Sequence, residues 1–325
     1  MEANPLLQEF ADVEPIYEKD VPNGICKVSY YGDFEQRLAI LKGCIKNGEL
    51  SDRVFKLTGS IIRTNTPYIT AWVIRQKCIL KNGVNWDEEF EFLDEIRGYN
   101  EKCYQTWMHR HFLVQLSGNY SREKDYCDSY IALDNKNIHA WTHRQWIIQT
   151  FDQWDGEMEY TAKYIDIDIF NNSAWSHRFF IARHCIRDNV ALSNEIEFTL
   201  GKIHLAPHNE AAWNYLIGLM KQFKDYCYDD VVYEVKTLLK TVNDIPSAYF
   251  LLIQAARSTF EKKELETAIS YCDQLQVIDS IRAGYWDNMK RDIVKDIEIM
   301  EKLDMCPVCK KQRSIDYTHP TNLKQ

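Results

Sequence analysis

Glycine and proline are scarce in this chain: 325 residues hold only 12 Gly and 8 Pro. That excludes a collagen-like or disordered chain, because both need far more of these residues or far less apolar material. No run of about 18 or more apolar residues occurs, so no segment reads as a membrane-spanning helix. The opening Met1-Glu-Ala-Asn-Pro5 has neither a basic nor an apolar stretch, and no secretory signal is expected there. Positive charge is short as well: 39 Lys and Arg face 48 Asp and Glu, for a net charge of −9. This excludes general nucleic-acid binding, which uses a basic face. A local basic cluster can still hold a small anion, and His109, Arg110 and His111, with Lys102 upstream, form one in the sequence. The Gly-rich phosphate loop, Gly-x-Ser-x-Gly and His-Glu-x-x-His are all missing. The ten Cys stand mostly singly within helical patterns, which suits reduced thiols in the cytoplasm and not a disulfide framework.

What is present is a repeat. Trp-x-x-Arg occurs at Trp72–Arg75, Trp107–Arg110, Trp141–Arg144 and Trp175–Arg178, and Trp213 keeps the Trp with Leu216 in place of the Arg. Successive Trp residues step by 35, 34, 34 and 38 positions. A period near 34 is two helices and two turns, so the chain is expected to be all-α: a right-handed, crescent-shaped superhelix (a solenoid) of antiparallel helical hairpins. Trp-bearing helices are expected over 69–81, 103–116, 138–151, 172–186 and 209–223, with partner helices over 87–99, 121–133, 156–168 and 192–205. Breaks at Asn82-Gly83, Ser117-Gly118, Asp155-Gly156 and Pro207 separate them. Past Trp213 the period weakens, and helices near 229–242, 247–259, 264–278 and 281–303 complete the array. The layout is thus an extended arm over 1–30, a repeat domain over 31–304 and a tail over 305–325.

Each Trp is expected to fill the core between hairpins. Each Arg, one turn on, is expected to pair with an acid or a helix C-terminus of the adjacent hairpin. The His before three of these Arg (His109, His143, His177) invites a metal reading. Equivalent positions in stacked hairpins stand about 10 Å apart, too far to share an ion whose ligands lie about 2 Å away. Cys306-Pro-Val-Cys309 is only half of a tetrahedral site, with His319 beyond it. No metal site is expected in this chain. Self-similarity fails more usefully in the turn before each Trp. Lys102 and Lys136 occupy the same place in two adjacent repeats, where repeats one and four carry Pro67 and Phe170. A Lys at the mouth of a helix, beside free N–H groups and the positive dipole end, suits a diphosphate or a carboxylate.

These residues resemble the alpha subunit shared by protein farnesyltransferase and protein geranylgeranyltransferase type I. The likeness rests on the Trp-x-x-Arg period, on Asn137-Ile-His-Ala-Trp-Thr-His-Arg-Gln-Trp146, on Trp154-Asp-Gly-Glu157, on Asn171-Asn-Ser-Ala-Trp175 and on Pro207-His-Asn-Glu-Ala-Ala-Trp-Asn-Tyr215. Ala11-Asp-Val-Glu-Pro15, Phe55-Lys-Leu-Thr58 and Tyr285-Trp286 extend it over about residues 10–290. The resemblance implies a cytoplasmic heterodimer in which a beta subunit carries zinc and most of the isoprenoid pocket, with magnesium accompanying the diphosphate. The reaction implied is transfer of a farnesyl or geranylgeranyl group to the Cys of a C-terminal Cys-a-a-X motif. It implies that Lys102 is catalytic, against the diphosphate leaving group, that Tyr104 lines the diphosphate side, and that Gln105 holds the substrate carboxylate. Asn137 and His139 match the third repeat's Asn-Tyr-His, with Ile138 in place of the phenol. Ile69 stands where the first repeat has a substrate-facing Tyr, and Cys103 where the second has Asn. Lys136 joins the expected substrate-binding set from its place at the helix mouth. Two alternatives share the period. One is the alpha subunit of a Rab-type geranylgeranyltransferase. The other is a non-catalytic adaptor of the tetratricopeptide kind, although that repeat's Leu-Gly after the Trp is lacking.

Overall fold

The computed structural model describes residues 5–18, 29–97, 101–259 and 261–305. Cys306, Cys309 and His319, and with them the tail's thiols, lie outside the described residues, as do Pro22 and Gly24. Two compact units divide the chain, residues 1–153 and 154–325.

In the first unit a one-turn helix α1 (Pro5–Gln8) precedes α2 (Phe34–Lys46) and the pairs α3 (Asp52–Thr64) with α4 (Ile69–Asn82), α5 (Trp86–Arg97) with α6 (Tyr104–Ser117), and α7 (Glu123–Leu133) with α8 (Ile138–Phe151). In the second unit α9 (Glu157–Ile167) pairs with α10 (Asn172–Cys185), and α11 (Asn189–Leu205) with α12 (Glu210–Gln222). There follow α13 (Asp229–Leu238), α14 (Pro246–Thr259), α15 (Lys262–Ile278) and, after a 3-10 turn, α16 (Ala283–Met305). The described residues are thus an all-α array of hairpins, the class the repeat predicts. Within each unit successive Trp helices touch: α4 with α6 and α6 with α8, then α10 with α12 and α12 with α14.

The local chemistry explains the boundaries. Asn137, Asn171 and Asn209 cap α8, α10 and α12, their side chains accepting from backbone N–H groups of the first turn. Gly118 ends α6 in the left-handed region, at a φ of 71° that suits a residue without Cβ. Leu57, Ile61, Ile62, Trp72, Ile79 and Leu93 form the apolar centre of the first unit. Residues 5–18 are bound to that centre. Phe10 and Val13 are buried in it, and Ile16 N–H donates to the Ala39 carbonyl at 2.9 Å.

Each Trp does more than fill space. Its indole N–H donates to the carbonyl six residues earlier: Trp72 to Thr66, Trp107 to Glu101, Trp141 to Asn135, Trp175 to Ile169 and Trp213 to Pro207, at 2.7–3.1 Å. The buried Trp therefore anchors the turn that enters its own helix. The period also persists where the sequence loses it, because the Tyr249 hydroxyl makes the same bond to the Asn243 carbonyl at 3.0 Å.

Arg75, Arg110 and Arg178 are buried and paired to an acid of the next hairpin, as the spacing predicts. Arg75 grips Glu89, Arg110 grips Glu123 and Arg178 grips Glu195, each through two nitrogens. The same carboxylates accept from the following Trp helix: His109 reaches Glu89 at 2.7 Å and His143 reaches Glu123 at 2.8 Å, while Tyr215 reaches Glu195 at 2.7 Å. His177 bonds to Glu157 at 3.1 Å. The Trp-x-x-Arg motif does not include these glutamates, yet each lies 18 residues before a Trp, and that register is the signal that finds them. Arg144 takes Asp128 at 2.6 Å.

The burial decides the ionisation. Removal from water would raise the carboxyl pKa of Glu89, but bonds from His109 and Arg75 hold it below its ordinary value of 4.5; Glu123, with His143 and Arg110, behaves alike. Burial lowers His109 below 6.5, so it stands neutral and donates from Nε2. Among the described residues, then, the sequence's basic cluster of His109, Arg110 and His111 does not act as one. His109 and Arg110 are committed to separate buried glutamates, and His111 lies against Trp146 at 3.6 Å between ring centres.

Candidate functional site

The residues named from the sequence meet at one place in the first unit, where the turns entering α6 and α8 lie side by side. Cys103 and Asn137 occupy matching cap positions, with nearly the same backbone angles (φ −71°, ψ 110° and φ −64°, ψ 103°). Asn137 caps α8 through Oδ1, which accepts from His139 N–H at 3.0 Å and Ala140 N–H at 3.2 Å. Cys103 offers α6 no such bond; its thiol points to Gln105 Oε1 at 3.2 Å.

Lys102 is exposed at this corner, as is Lys136. The Lys102 ammonium pairs with Asp134 Oδ2 at 2.7 Å, and that hydrogen bond raises the pKa of the lysine. Asp134 was not singled out in the sequence. Its other oxygen accepts from the Lys136 backbone N–H at 3.0 Å, closing the turn before α8. Asp168 in the second unit makes the same turn bond to Phe170 N–H at 3.0 Å. Asp134 is held below the ordinary carboxylate range by its bond from Lys102, then by the Lys136 backbone and by both lysine charges.

His139 is half-buried and binds the backbone of Lys102; burial and the nearby Lys102 charge lower its pKa. Its ring stacks on Trp107 at 6.4 Å and meets Tyr104 edge-on at 6.1 Å. Tyr104 is more than half exposed, and Gln105 beside it is half-buried. Lys102, Tyr104, Asn137 and His139, with the Lys136 turn, therefore share one corner: two lysines and one aspartate, an imidazole and a phenol.

One polar atom here has no counterpart. Asn137 is 2% exposed, and its Nδ2 has no hydrogen-bond partner among the described residues. In the second unit Asn209, at the matching cap, sends its Nδ2 to the Ile169 carbonyl at 2.7 Å, the same carbonyl that accepts from Trp175.

Apolar side chains are exposed at these same helix ends. In the first unit Ile69, Tyr104 and Ile138 open the Trp helices and Leu133 closes α7; in the second Ile167, Phe170 and Leu205 lie at matching ends. Ile138 is 70% exposed. Among the described residues no three His, Cys, Asp or Glu side chains come together as a metal-ligand set, and no helix is long and apolar enough to cross a membrane.

The protein prenyltransferase alpha subunit repeat matches residues 120–151, 154–185 and 192–223. The first two matches run from the turn before a first helix to the end of a Trp helix, and the third begins within α11 and ends just past α12. The protein farnesyltransferase/geranylgeranyltransferase type-1 subunit alpha of Candida albicans is 30% identical over 293 residues, covering 86% of this chain and 95% of that relative. The Dictyostelium discoideum subunit of the same description is 32% identical over 305 residues, covering 89% of this chain and 93% of the relative. Among solved structures, Candida albicans protein geranylgeranyltransferase-I complexed with GGPP is similar at a TM-score of 0.75 and 28% identity, over 87% of this chain and 98% of that one.

Proposed function

This chain belongs to the family of alpha subunits of protein farnesyltransferase/geranylgeranyltransferase type 1, and from that membership we propose that it is the alpha subunit of a heterodimeric protein prenyltransferase. With a beta subunit it transfers a farnesyl or geranylgeranyl group from the diphosphate to the Cys of a Cys-a-a-X protein. The observation that carries this reading is likeness over almost the full length of such subunits, 95% and 93% of two of them.

The chemistry assigned to the corner follows from charge. A sulfur–carbon bond forms at the first prenyl carbon, the carbon–oxygen bond to diphosphate breaks, and the departing oxygen takes the electron pair. Lys102 is the catalytic residue in this reading: its ammonium, exposed at the mouth of α6, faces the growing negative charge, where a fixed cation lowers the barrier. Lys136 adds a second positive charge at the neighbouring helix mouth, and the N–H groups of α8 add a partial one. Tyr104 and His139 border the diphosphate, with His139 tying the Lys102 backbone in place. Gln105 takes the substrate's carboxylate, and Asn137 fixes the turn that orients His139. Zinc, assigned to the partner beta subunit, would supply the thiolate, and magnesium, assigned to the diphosphate, would share its charge. We assign the reaction to the cytoplasm, in line with the seven free cysteines among the described residues. The repeat domain assigned to it spans 31–304, between an arm over 1–30 and a tail over 305–325.

Co-expression with a beta subunit, followed by transfer to a Cys-a-a-X peptide from each isoprenoid diphosphate, tests the assignment. Transfer that needs both chains is expected, and it identifies the lipid. A chain that forms a stable monomer, neither pairing nor supporting transfer, would refute it.

A further inference from the structure

In the state described the exposed Lys102 ammonium pairs with Asp134 Oδ2 at 2.7 Å, so an arriving diphosphate meets a carboxylate already bound to it. We infer that Asp134 is a positioning residue that competes with the diphosphate for Lys102, so that binding the anion exchanges one carboxylate for a phosphate oxygen; this rests on the role of Lys102 proposed above.

Three observations support the exchange. First, the two oxygens of Asp134 have separate tasks. Oδ1 closes the turn onto Lys136 N–H, as the carboxylate of Asp168 closes its own turn onto Phe170 N–H. Oδ2 takes no part in that turn and accepts from the Lys102 ammonium. Second, the exposures differ: the Lys102 side chain is 68% exposed and that of Asp134 is 29% exposed. The carboxylate is fixed by its turn, while the ammonium sits on a long, solvated stem that can swing to a new anion. Third, the charge count favours exchange. Lys102, Lys136 and Asp134 sum to a single positive charge, whereas a diphosphate brings several negative ones and repels Asp134 as it attracts both lysines.

The partly exposed pair is weak, and a weak pair can be displaced. It also has a use: before substrate arrives it holds the ammonium at the mouth of α6, and after reaction it offers Lys102 an alternative to pyrophosphate, which eases product release.

The test uses the heterodimer and a direct binding measurement, calorimetric titration with farnesyl diphosphate and with geranylgeranyl diphosphate in the absence of peptide. Asp134→Asn keeps an oxygen for the Lys136 turn and removes the competing charge. It should tighten diphosphate binding about fivefold, the scale of one surface ion pair lost by the free state. Asp134→Glu, which restores the carboxylate, should return affinity towards that of the unmodified pair. The tightening should vanish when Lys102→Ala is also present, an outcome that a purely structural role for Asp134 would not produce. Unchanged or weaker binding in Asp134→Asn overturns the inference, and so does tightening that survives the loss of Lys102. Failure of the unmodified heterodimer to transfer a prenyl group would instead overturn the enzyme assignment, so the two failures are distinguishable.

Discussion

Lys102 is the single residue on which most of the proposed chemistry turns. Lys102→Ala removes one aimed charge from an exposed position where no buried partner is left behind. Assembly should survive, and transfer by the heterodimer should slow by about 10²-fold or more, the scale of losing one preorganised electrostatic contact. Turnover within a few-fold of the unmodified enzyme would remove Lys102 from the mechanism. The buried His–Glu–Arg chains make a different demand. Glu89 and Glu123 titrate below their ordinary 4.5 and His109 below 6.5, so at each group the unfolded chain takes up protons first as the pH drops. Their contribution is complete above those ordinary values and is lost on acidification. The melting temperature should hold near neutrality, decline below about pH 6.5 and fall more steeply below about pH 4.5. His109→Gln keeps a donor for Glu89 but cannot take a proton, so its decline between those two points should be shallower. An unchanged slope there would rule His109 out as a source of the pH dependence.

At the scale of the element, side-chain caps divide the Trp helices, with α4 and α6 lacking the bond that α8, α10 and α12 make. Asn caps α8, α10 and α12, whereas α6 begins at Cys103 with the same backbone geometry and no cap bond. Cys103→Asn should therefore stabilise the fold by about 1 kcal/mol, read as a rise in melting temperature of about 2–4 °C. No change would mean that the buried thiol's packing, and its contact to Gln105, outweighs the cap. The segment before α2 offers a second case. A Cβ on Gly43 would meet the Glu14 carbonyl oxygen and come within 2.8 Å of Val13 Cγ1, so only glycine lets residues 13–14 lie against α2. Gly43→Ala should release that segment and expose it to limited proteolysis, even though Arg53 still grips Asp12 and the Glu9 carbonyl. Resistance equal to the unmodified chain would show the segment can shift without detaching. The helices themselves were readable because Trp and Arg recur one turn apart and polar breaks fall between them. The indole bond to the carbonyl six residues back was not readable, since it depends on how each turn folds over its Trp.

For the whole molecule, the period carries the architecture of each unit, because within a unit hairpins pack on their sequence neighbours and few distant contacts must be guessed. What the period cannot carry is which side chains meet between hairpins. Asp134 looks like an ordinary turn residue, and only the adjoining turn that holds Lys102 makes it part of a site. A second gap concerns what lies beyond the chain. Lys102, Tyr104 and His139 open onto the same helix ends as the exposed Ile69, Leu133 and Ile138, which makes this the face proposed for the beta subunit. Ile138→Asp tests this face. The residue is 70% exposed at the first position of α8, where an acid suits the helix dipole, so the lone chain's melting temperature should not fall. Burial of one Ile side chain is worth about 1.5–3 kcal/mol, so affinity for the beta subunit should drop by at least about tenfold. Pairing of undiminished strength would mean that the partner reaches Lys102 without covering Ile138, and the docking face would then lie along another edge of these hairpins.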